Sequence, residues 1–187
     1  MPPKVKITKS DIVNTALELV RANGKHAINA RAIASALNCS TQPIFSNFAT
    51  MEELQCEVIA SAYELYLGFL QNDAHSGKYP TYKAYGMAYI RFAKEETELF
   101  KLLFMRNRDG EKFVTSPDFE ASVEIIMKAN NISHQTAELM HFEMWACVHG
   151  IATMLATSYL SLEWELISNM LTDIYQGILA RHLPKEV

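Results

Sequence analysis

The sequence predicts an all-α protein, and three observations lead to this fold class. Apolar residues make up 49% of the 187 residues, and they recur with helical spacing along most of the chain. The strict alternation of apolar and polar residues that is typical of half-buried strands does not occur. The chain contains only seven glycines and six prolines, too few for the frequent turns of a many-stranded β fold.

Three short helices are predicted at the start of the chain, over about residues 9–23, 30–37 and 41–47. Each is preceded by a side chain suited to cap its N-terminus, namely Thr8, Asn29 and Ser40. Asp11 completes a capping box with the first of these residues. Gly24 is expected to end the first helix. Pro43 fits the first turn of the third helix, where a missing N–H costs little.

Six further helices are predicted over about residues 52–71, 81–94, 96–106, 119–130, 134–158 and 163–182. Turn-forming or polar residues separate several of them, at the loop 72–80, at Pro117, at Ser133 and at 158–161. The predicted architecture is therefore an N-terminal domain over residues 1–50 and a larger helical bundle over residues 51–187.

Charge is distributed unevenly between these two parts. The formal charge of the whole chain is −4 at pH 7, which alone would discourage a nucleic-acid function. Residues 1–50, however, contain six Lys or Arg against two acidic residues, whereas residues 51–187 contain eleven against nineteen. A basic segment on an acidic body indicates that the N-terminal part binds an anionic partner.

Residues 29–48 follow the plan of a helix-turn-helix. Asn38 lies in the turn, where a left-handed conformation is needed and Asn tolerates it. The apolar inner face is predicted to consist of Ile33, Leu37, Ile44 and Phe48. The outward-facing polar side chains are predicted to be Ser40, Thr41, Gln42 and Asn47. Such a polar helix suits the major groove of DNA, where hydroxyl groups bond phosphates and Gln pairs with adenine.

Residues 8–54 resemble the DNA-binding domain of TetR-type transcriptional regulators. The matching positions are Thr8, Ile12, Ala16, Leu19, Gly24, Ile28, Arg31, Ile33, Ala34, Ser40, Ile44, Phe45, Phe48, Glu53 and Leu54. In the second part, Trp145, His149 and Gly150 resemble the Trp-His-Gly signature of one C-terminal domain type in this family. The resemblance implies an N-terminal helix-turn-helix domain followed by a helical domain for effector binding and dimerisation.

The candidate DNA-binding residues lie in and around the third helix and on two flanking cations. They are Lys9, Arg31, Ser40, Thr41, Gln42, Pro43, Phe45 and Asn47. Solvated surface positions are the alternative for the two cations, and a place in the domain core is the alternative for Phe45.

Three positions depart from the family pattern. Phe45 replaces the usual Tyr, Met51 replaces a Lys and Asn38 replaces a turn Gly. The first two changes remove phosphate contacts, so we expect modest DNA affinity or a larger contribution from Lys4, Lys6 and Lys9.

The resemblance also implies an effector pocket in the helical domain. The candidate lining residues are Tyr63, Tyr89, Phe92, Trp145 and His149. Each offers a polar group or lies beside one, as in many apolar ligand sites. Trp145 and His149 are four residues apart and share a helical face. A core position without ligand contact is the alternative for each, above all for His149.

The last predicted helix carries an apolar stripe formed by Trp164, Ile167, Leu171, Ile174 and Ile178. The stripe is wider than packing against one neighbour requires. We interpret it as an isologous dimer interface built from the last two helices of each subunit. A helix that packs only inside its own subunit is the alternative.

Signals of other protein classes are missing from the sequence. It contains no GxSxG, P-loop, GxGxxG or HExxH motif, so we expect no enzymatic activity and no cofactor. The three cysteines are widely spaced and indicate reduced thiols, and the helical face shared by His134, Glu138 and His141 fits no metal signature. The N-terminus lacks a signal-peptide core and no apolar stretch reaches membrane-span length, which predicts a cytoplasmic protein.

The predicted function is therefore a ligand-responsive transcriptional repressor. It would bind a palindromic double-stranded DNA operator as a homodimer and be released by a small apolar or aromatic effector, with no membrane partner. The alternatives are a helical protein-interaction module and a DNA-binding regulator that does not respond to a ligand.

Overall fold

The structure, a computed structural model, describes residues 7–109 and 116–183. All regular secondary structure within these ranges is helical, so the predicted all-α fold class is confirmed. No helix in the described ranges is long and apolar enough to cross a membrane. The helices are α1 (Lys9–Asn23), a 3₁₀ turn (Lys25–Ala27), α2 (Ala30–Ala36), α3 (Gln42–Asn47), α4 (Met51–His75), α5 (Thr81–Glu95), α6 (Thr97–Phe104), α7 (Pro117–Asn130), α8 (His134–Ala156) and α9 (Trp164–His182).

The ends of α1 and the start of α2 follow the sequence prediction. The Thr8 hydroxyl accepts a hydrogen bond from the Asp11 N–H at 3.1 Å, and the Asp11 carboxylate accepts one from the Thr8 N–H at 2.8 Å. These two bonds form the complete capping box. Asn29 Oδ1 accepts a bond from the Ala32 N–H at 2.9 Å. Gly24 ends α1 with a φ of 76°, a left-handed conformation that favours glycine.

The predicted cap of α3 is wrong. Thr41, and not Ser40, occupies the N-cap position, and its backbone is already helical, with φ −71° and ψ −13°. A capping side chain normally bonds the N–H of the second or third helical residue, and Pro43 has no N–H to offer. The first turn instead uses the Thr41 carbonyl, which accepts bonds from the Ile44 and Phe45 N–H groups at 3.1 and 3.3 Å.

The turn between α2 and α3 has the predicted left-handed residue. Asn38 has a φ of 51°, and the adjacent Cys39 N–H donates to the Ala34 carbonyl at 2.9 Å. Further along the chain, α4 extends to His75, so the predicted loop over residues 72–80 begins one helical turn later.

We expect Asn38→Ala to destabilise the protein by about 1–2 kcal/mol, because a Cβ without a polar side chain is unfavourable in the left-handed region. Asn38→Gly should be about as stable as the wild type, since glycine adopts this conformation without strain. Urea unfolding followed by circular dichroism measures both variants. An equal loss in both would contradict the backbone explanation and assign the effect to the Asn side chain.

The chain divides into two compact units. The first consists of Met1–Leu65 and Glu96–Arg106, and the second of Tyr66–Glu95 and Asn107–Val187. The first unit thus extends beyond residue 50 and includes α6, which follows α5 in the chain.

The core of the first unit draws on α1, α2, α3, α4 and α6. Its buried side chains include Ile12, Ala16, Val20, Ile33, Ile44, Phe48, Leu54, Val58, Leu99 and Phe100. Leu37, predicted on the inner face, is half-buried. The helix α6 packs against α1, and Arg21 Nε and Nη2 each donate to Glu96 at 2.8 Å. This bidentate pair joins two segments that are 75 residues apart in sequence.

The second unit contains the end of α4 together with α5, α7, α8 and α9. One core cluster between α7 and α8 consists of Phe119, Val123, Ile126, Ala137 and Met140. Tyr175, Ile178 and Leu179 of α9 pack against this cluster. The last helix therefore contributes to the interior of its own unit.

Two tyrosine–histidine hydrogen bonds connect α5 with α8. Tyr82 Oη lies 2.9 Å from His141 Nδ1, and Tyr89 Oη lies 2.8 Å from His149 Nδ1. The tyrosines are seven residues apart and the histidines eight. The two helices therefore run in the same direction, and the two bonds lie about two helical turns apart.

Candidate functional site

The helix-turn-helix exposes part of the predicted DNA-contact set. Arg31, Ser40 and Gln42 are exposed, and Thr41 and Pro43 are half-buried. Phe45 is 54% exposed, so the alternative that placed its ring in the domain core is wrong. Lys4 and Lys6 of the predicted N-terminal arm lie outside the described residues.

Two members of the predicted set are engaged within the first unit. Asn47 Nδ2 donates to the Pro43 carbonyl at 2.7 Å and to the Ile7 carbonyl at 3.5 Å. Lys9 Nζ donates to Glu53 Oε1 at 3.0 Å and lies 4.7 Å from the centroid of the Phe48 ring. The hydrogen bond to Glu53 raises the pKa of Lys9. Asn47 thus connects the start of α1 to α3, and Lys9 connects it to α4.

The positive charge of the helix-turn-helix domain comes from residues outside α3. The segment of α3 contains no charged residue, and no Lys or Arg occurs in the sequence between Arg31 and Lys78. Arg21 is bound to Glu18 and Glu96. Arg31 on α2 and Lys25 on the 3₁₀ turn, by contrast, are exposed cations.

A second candidate site lies in the second unit, where four of the five predicted ligand residues come together. Tyr89 and Phe92 are 4% and 0% exposed. The imidazole of His149 is hydrogen-bonded to the Tyr89 hydroxyl. The Trp145 indole stacks on the His149 ring with a centroid distance of 5.4 Å and an interplanar angle of 26°. The fifth residue, Tyr63, is half-buried and belongs to the first unit.

Tyr66 belongs to this aromatic cluster, and Asp118 binds the Tyr66 hydroxyl. Neither was predicted as a site residue. The Tyr66 ring meets Tyr89 and Phe92 edge-on at centroid distances of 5.8 and 5.5 Å. Its hydroxyl donates to Asp118 Oδ2 at 3.2 Å. Tyr63 and Tyr66 are three residues apart on α4, so both lie on nearly the same face of the helix. Periodicity alone therefore does not predict which of the two tyrosines joins the cluster.

The hydrogen-bonding pair of the cluster is neutral near pH 7. Burial lowers the pKa of His149. Burial, and then the negative charge of Asp118, raises the pKa of Tyr89. Trp145 is 39% exposed, so an aromatic surface with a neutral polar pair beside it is open to solvent at one side. Such a surface suits an apolar or aromatic molecule that also forms a hydrogen bond.

The predicted dimer stripe on α9 faces its own unit for much of its length. Ile167 and Leu171 are 0% and 2% exposed, so neither offers side-chain surface to a second subunit. Trp164 is half-buried, with Lys94 Nζ 5.0 Å from its ring centroid, and Ile174 and Ile178 are also half-buried. The 3-4 spacing identified the inner face of the helix because α9 packs on α8 and α5 within the subunit.

Large exposed apolar side chains occur on other positions of α8, of α9 and of the loop between them. They are Leu139, Trp145, Tyr159, Leu160 and Leu166. Apart from Trp145, these residues were not predicted as functional. These side chains do not belong to the apolar stripe predicted on α9. The sequence pattern alone does not show which face of α8 or α9 packs inside the unit and which face is exposed.

The described residues form a helix-turn-helix followed by a helical bundle, and the comparisons with known proteins agree with this fold. Residues 82–174 match the family model described as Tetracyclin repressor-like, C-terminal domain. The fold is similar to that of a TetR-like transcriptional regulator from Rhodococcus sp. RHA1, with a TM-score of 0.64 and 15% identity over 96% of this chain and 98% of that chain. No curated protein sequence matches the chain. Residues 82–174 therefore resemble a Tetracyclin repressor-like C-terminal domain, and the fold is similar to that of a TetR-like regulator.

Proposed function

We propose that the protein is a transcriptional repressor that binds a palindromic double-stranded operator as a homodimer. A small apolar or aromatic effector that binds the second unit would release it from DNA. The observation that carries DNA binding is the exposed outer face of the helix-turn-helix, with Gln42 and Phe45 on α3 and the cation Arg31 beside it. The assignment of DNA binding to residues 1–50, and of effector binding and dimerisation to residues 51–187, is part of this proposal.

The homodimer supplies two recognition helices for two half-sites. In a two-fold dimer the half-sites lie about one helical turn of DNA apart, or a multiple of it. Leu139 of α8 and Leu166 of α9, at 50% and 49% exposure, support an interface on these helices, separate from Trp145 of the proposed effector site. Ile167 and Leu171 stabilise the helix from the inside and are not part of the proposed contact surface.

The proposed effector site is the aromatic cluster formed by Tyr66, Tyr89, Phe92, Trp145 and His149. Its open side at Trp145 and its neutral Tyr–His pair support an uncharged aromatic ligand. The effector can release DNA only if it binds the DNA-free conformation more tightly than the DNA-bound one.

A duplex library titrated at several salt concentrations tests the repressor proposal. We expect sequence-selective retention with a steep salt dependence, because phosphate contacts release counterions. No selective duplex at low salt, for a protein with intact helicity and dimeric mass, would contradict the proposal and favour a protein-interaction module. A monomeric mass by light scattering at micromolar concentration would contradict the homodimer.

Arg31→Ala should weaken binding to all duplexes alike and reduce the slope of log affinity against log salt by about one. The physical reason is the loss of one phosphate contact beside α3. Lys25→Ala, which removes an exposed cation of the 3₁₀ turn that is outside the predicted contact set, is the matched control and should leave affinity and slope nearly unchanged. Equal effects of the two substitutions would show a general charge effect in place of a contact at Arg31.

A screen of neutral aromatic compounds by thermal shift tests the effector proposal. A compound that binds should raise the melting temperature and weaken operator binding, and Trp145→Ala should abolish both responses while operator binding without ligand persists. Tyr159→Ala, which removes an aromatic side chain that is 76% exposed outside the cluster, is the control. A compound that raises the melting temperature of the wild type but leaves operator affinity unchanged would contradict the coupling.

A further inference from the structure

We propose that α3 reads A·T base pairs, with the Gln42 carboxamide on adenine and the Phe45 ring on the 5-methyl group of thymine. This inference rests on the proposed binding of double-stranded DNA and names the chemistry of the half-site. It depends on which side chains α3 exposes and on which it lacks.

The outer face of α3 presents two large side chains. Gln42 is exposed and Phe45 is 54% exposed, and residues three apart lie on the same face of a helix. The Gln42 carboxamide forms no hydrogen bond with any residue that the structure describes. It therefore offers a donor and an acceptor together, which is the pair that adenine N7 and N6 require in the major groove.

The second carboxamide of α3 is already engaged. Asn47 Nδ2 donates to the Pro43 carbonyl at 2.7 Å and to the Ile7 carbonyl at 3.5 Å. A bidentate bond from Asn47 to adenine would break these contacts. Gln42 is therefore the amide of this helix that can pair with a base at no cost to the fold.

The helix lacks the side chains that recognise a G·C pair. Guanine O6 and N7 are most often read by Arg or Lys, and cytosine N4 by Asp or Glu. The α3 sequence Gln-Pro-Ile-Phe-Ser-Asn contains none of these, and no Lys or Arg occurs between Arg31 and Lys78. The recognition helix is thus chemically matched to A·T and poorly matched to G·C.

Phe45 supplies the complementary apolar contact. Its ring has no hydroxyl for a phosphate oxygen, and the 5-methyl group of thymine is the apolar group that the major groove displays. Side chains three residues apart have Cβ atoms about 5–6 Å apart, which spans roughly one to two base-pair steps of about 3.4 Å. The adenine and the thymine are therefore expected in neighbouring pairs or one pair apart.

The test begins with the full-length protein and the duplex selected from the library. Each half-site adenine is replaced in turn by 7-deazaadenine, which lacks N7, and each thymine by deoxyuridine, which lacks the methyl group. One adenine replacement removes one of the two hydrogen bonds and should weaken wild-type binding about 2- to 12-fold, and one neighbouring thymine replacement about 4-fold.

The variants assign each effect to a side chain. Gln42→Ala should abolish the 7-deazaadenine effect and keep the deoxyuridine effect, and Phe45→Ala should do the reverse. Arg31→Ala should weaken every duplex and keep both effects, because a phosphate contact carries no base information.

The outcomes separate this inference from the proposed function. A selected half-site that depends on G·C pairs, or analogue effects that persist in Gln42→Ala and Phe45→Ala, would overturn the A·T assignment alone. Failure to select any duplex would overturn DNA binding and this inference with it.

Discussion

Phe48→Ala is expected to destabilise the first compact unit by about 3–5 kcal/mol. Phe48 is 1% exposed and is among the largest fully buried side chains of the chain. Its backbone N–H closes the end of α3 on the Ile44 carbonyl at 2.9 Å. Truncation removes the buried ring, leaves a cavity in the core and takes away the aromatic face over which Lys9 Nζ lies.

Phe45→Ala is the matched control, because it truncates the same residue type three positions earlier. Its ring is 54% exposed, so the expected change in the free energy of unfolding is within about 0.5 kcal/mol. Urea unfolding followed by circular dichroism compares the two variants with the wild type. Similar losses in both would contradict the different placement of the two rings.

Acidification from about pH 6.5 to about pH 4 is expected to reduce stability by about 3 kcal/mol through His141 alone, at about 1.4 kcal/mol per unit of pKa. His141 is 8% exposed. Burial lowers its pKa from 6.5 to about 4, against smaller opposite effects of Asp118 and Glu120. Above pH 6.5 the histidine is neutral in both states. Between the two pKa values only the unfolded chain binds the proton, so stability falls as the pH falls.

His141→Gln tests this prediction, because glutamine does not titrate and retains hydrogen-bonding atoms near Tyr82. The loss of unfolding free energy between pH 7 and pH 4.5 should be smaller in His141→Gln than in the wild type. His134→Gln, at an exposed position of the same helix, should follow the wild-type profile. Parallel pH profiles for the wild type and His141→Gln would contradict the assignment.

The order and approximate limits of the helices could be predicted because they depend on local sequence. Apolar periodicity gives the helix positions, and side chains such as Thr8, Asp11 and Asn29 bond backbone groups within three residues. The cap of α3 could not be predicted in the same way. The N-cap of α3 depends on the helical backbone of Thr41 and on the missing N–H of Pro43. Only the proline can be read from the sequence.

The candidate sites could be predicted less completely, because they depend on contacts between distant residues. The pairing of Tyr89 with His149 joins positions 60 residues apart, and the bonds of Asn47 to Ile7 cross 40 residues. Periodicity correctly identified an apolar stripe on α9. It could not reveal that this stripe packs on α8 and α5, since an inner face and a subunit interface have the same spacing.

The inclusion of α6 in the first unit has a consequence for the order in which the protein is completed during synthesis. Leu99 and Phe100, both 0% exposed, and Glu96, the partner of Arg21, are translated well after α3. At about 5–20 residues per second this delay is on the order of several seconds. Until then the nascent N-terminal unit lacks part of its core, and a fragment that ends at residue 50 remains in that incomplete state.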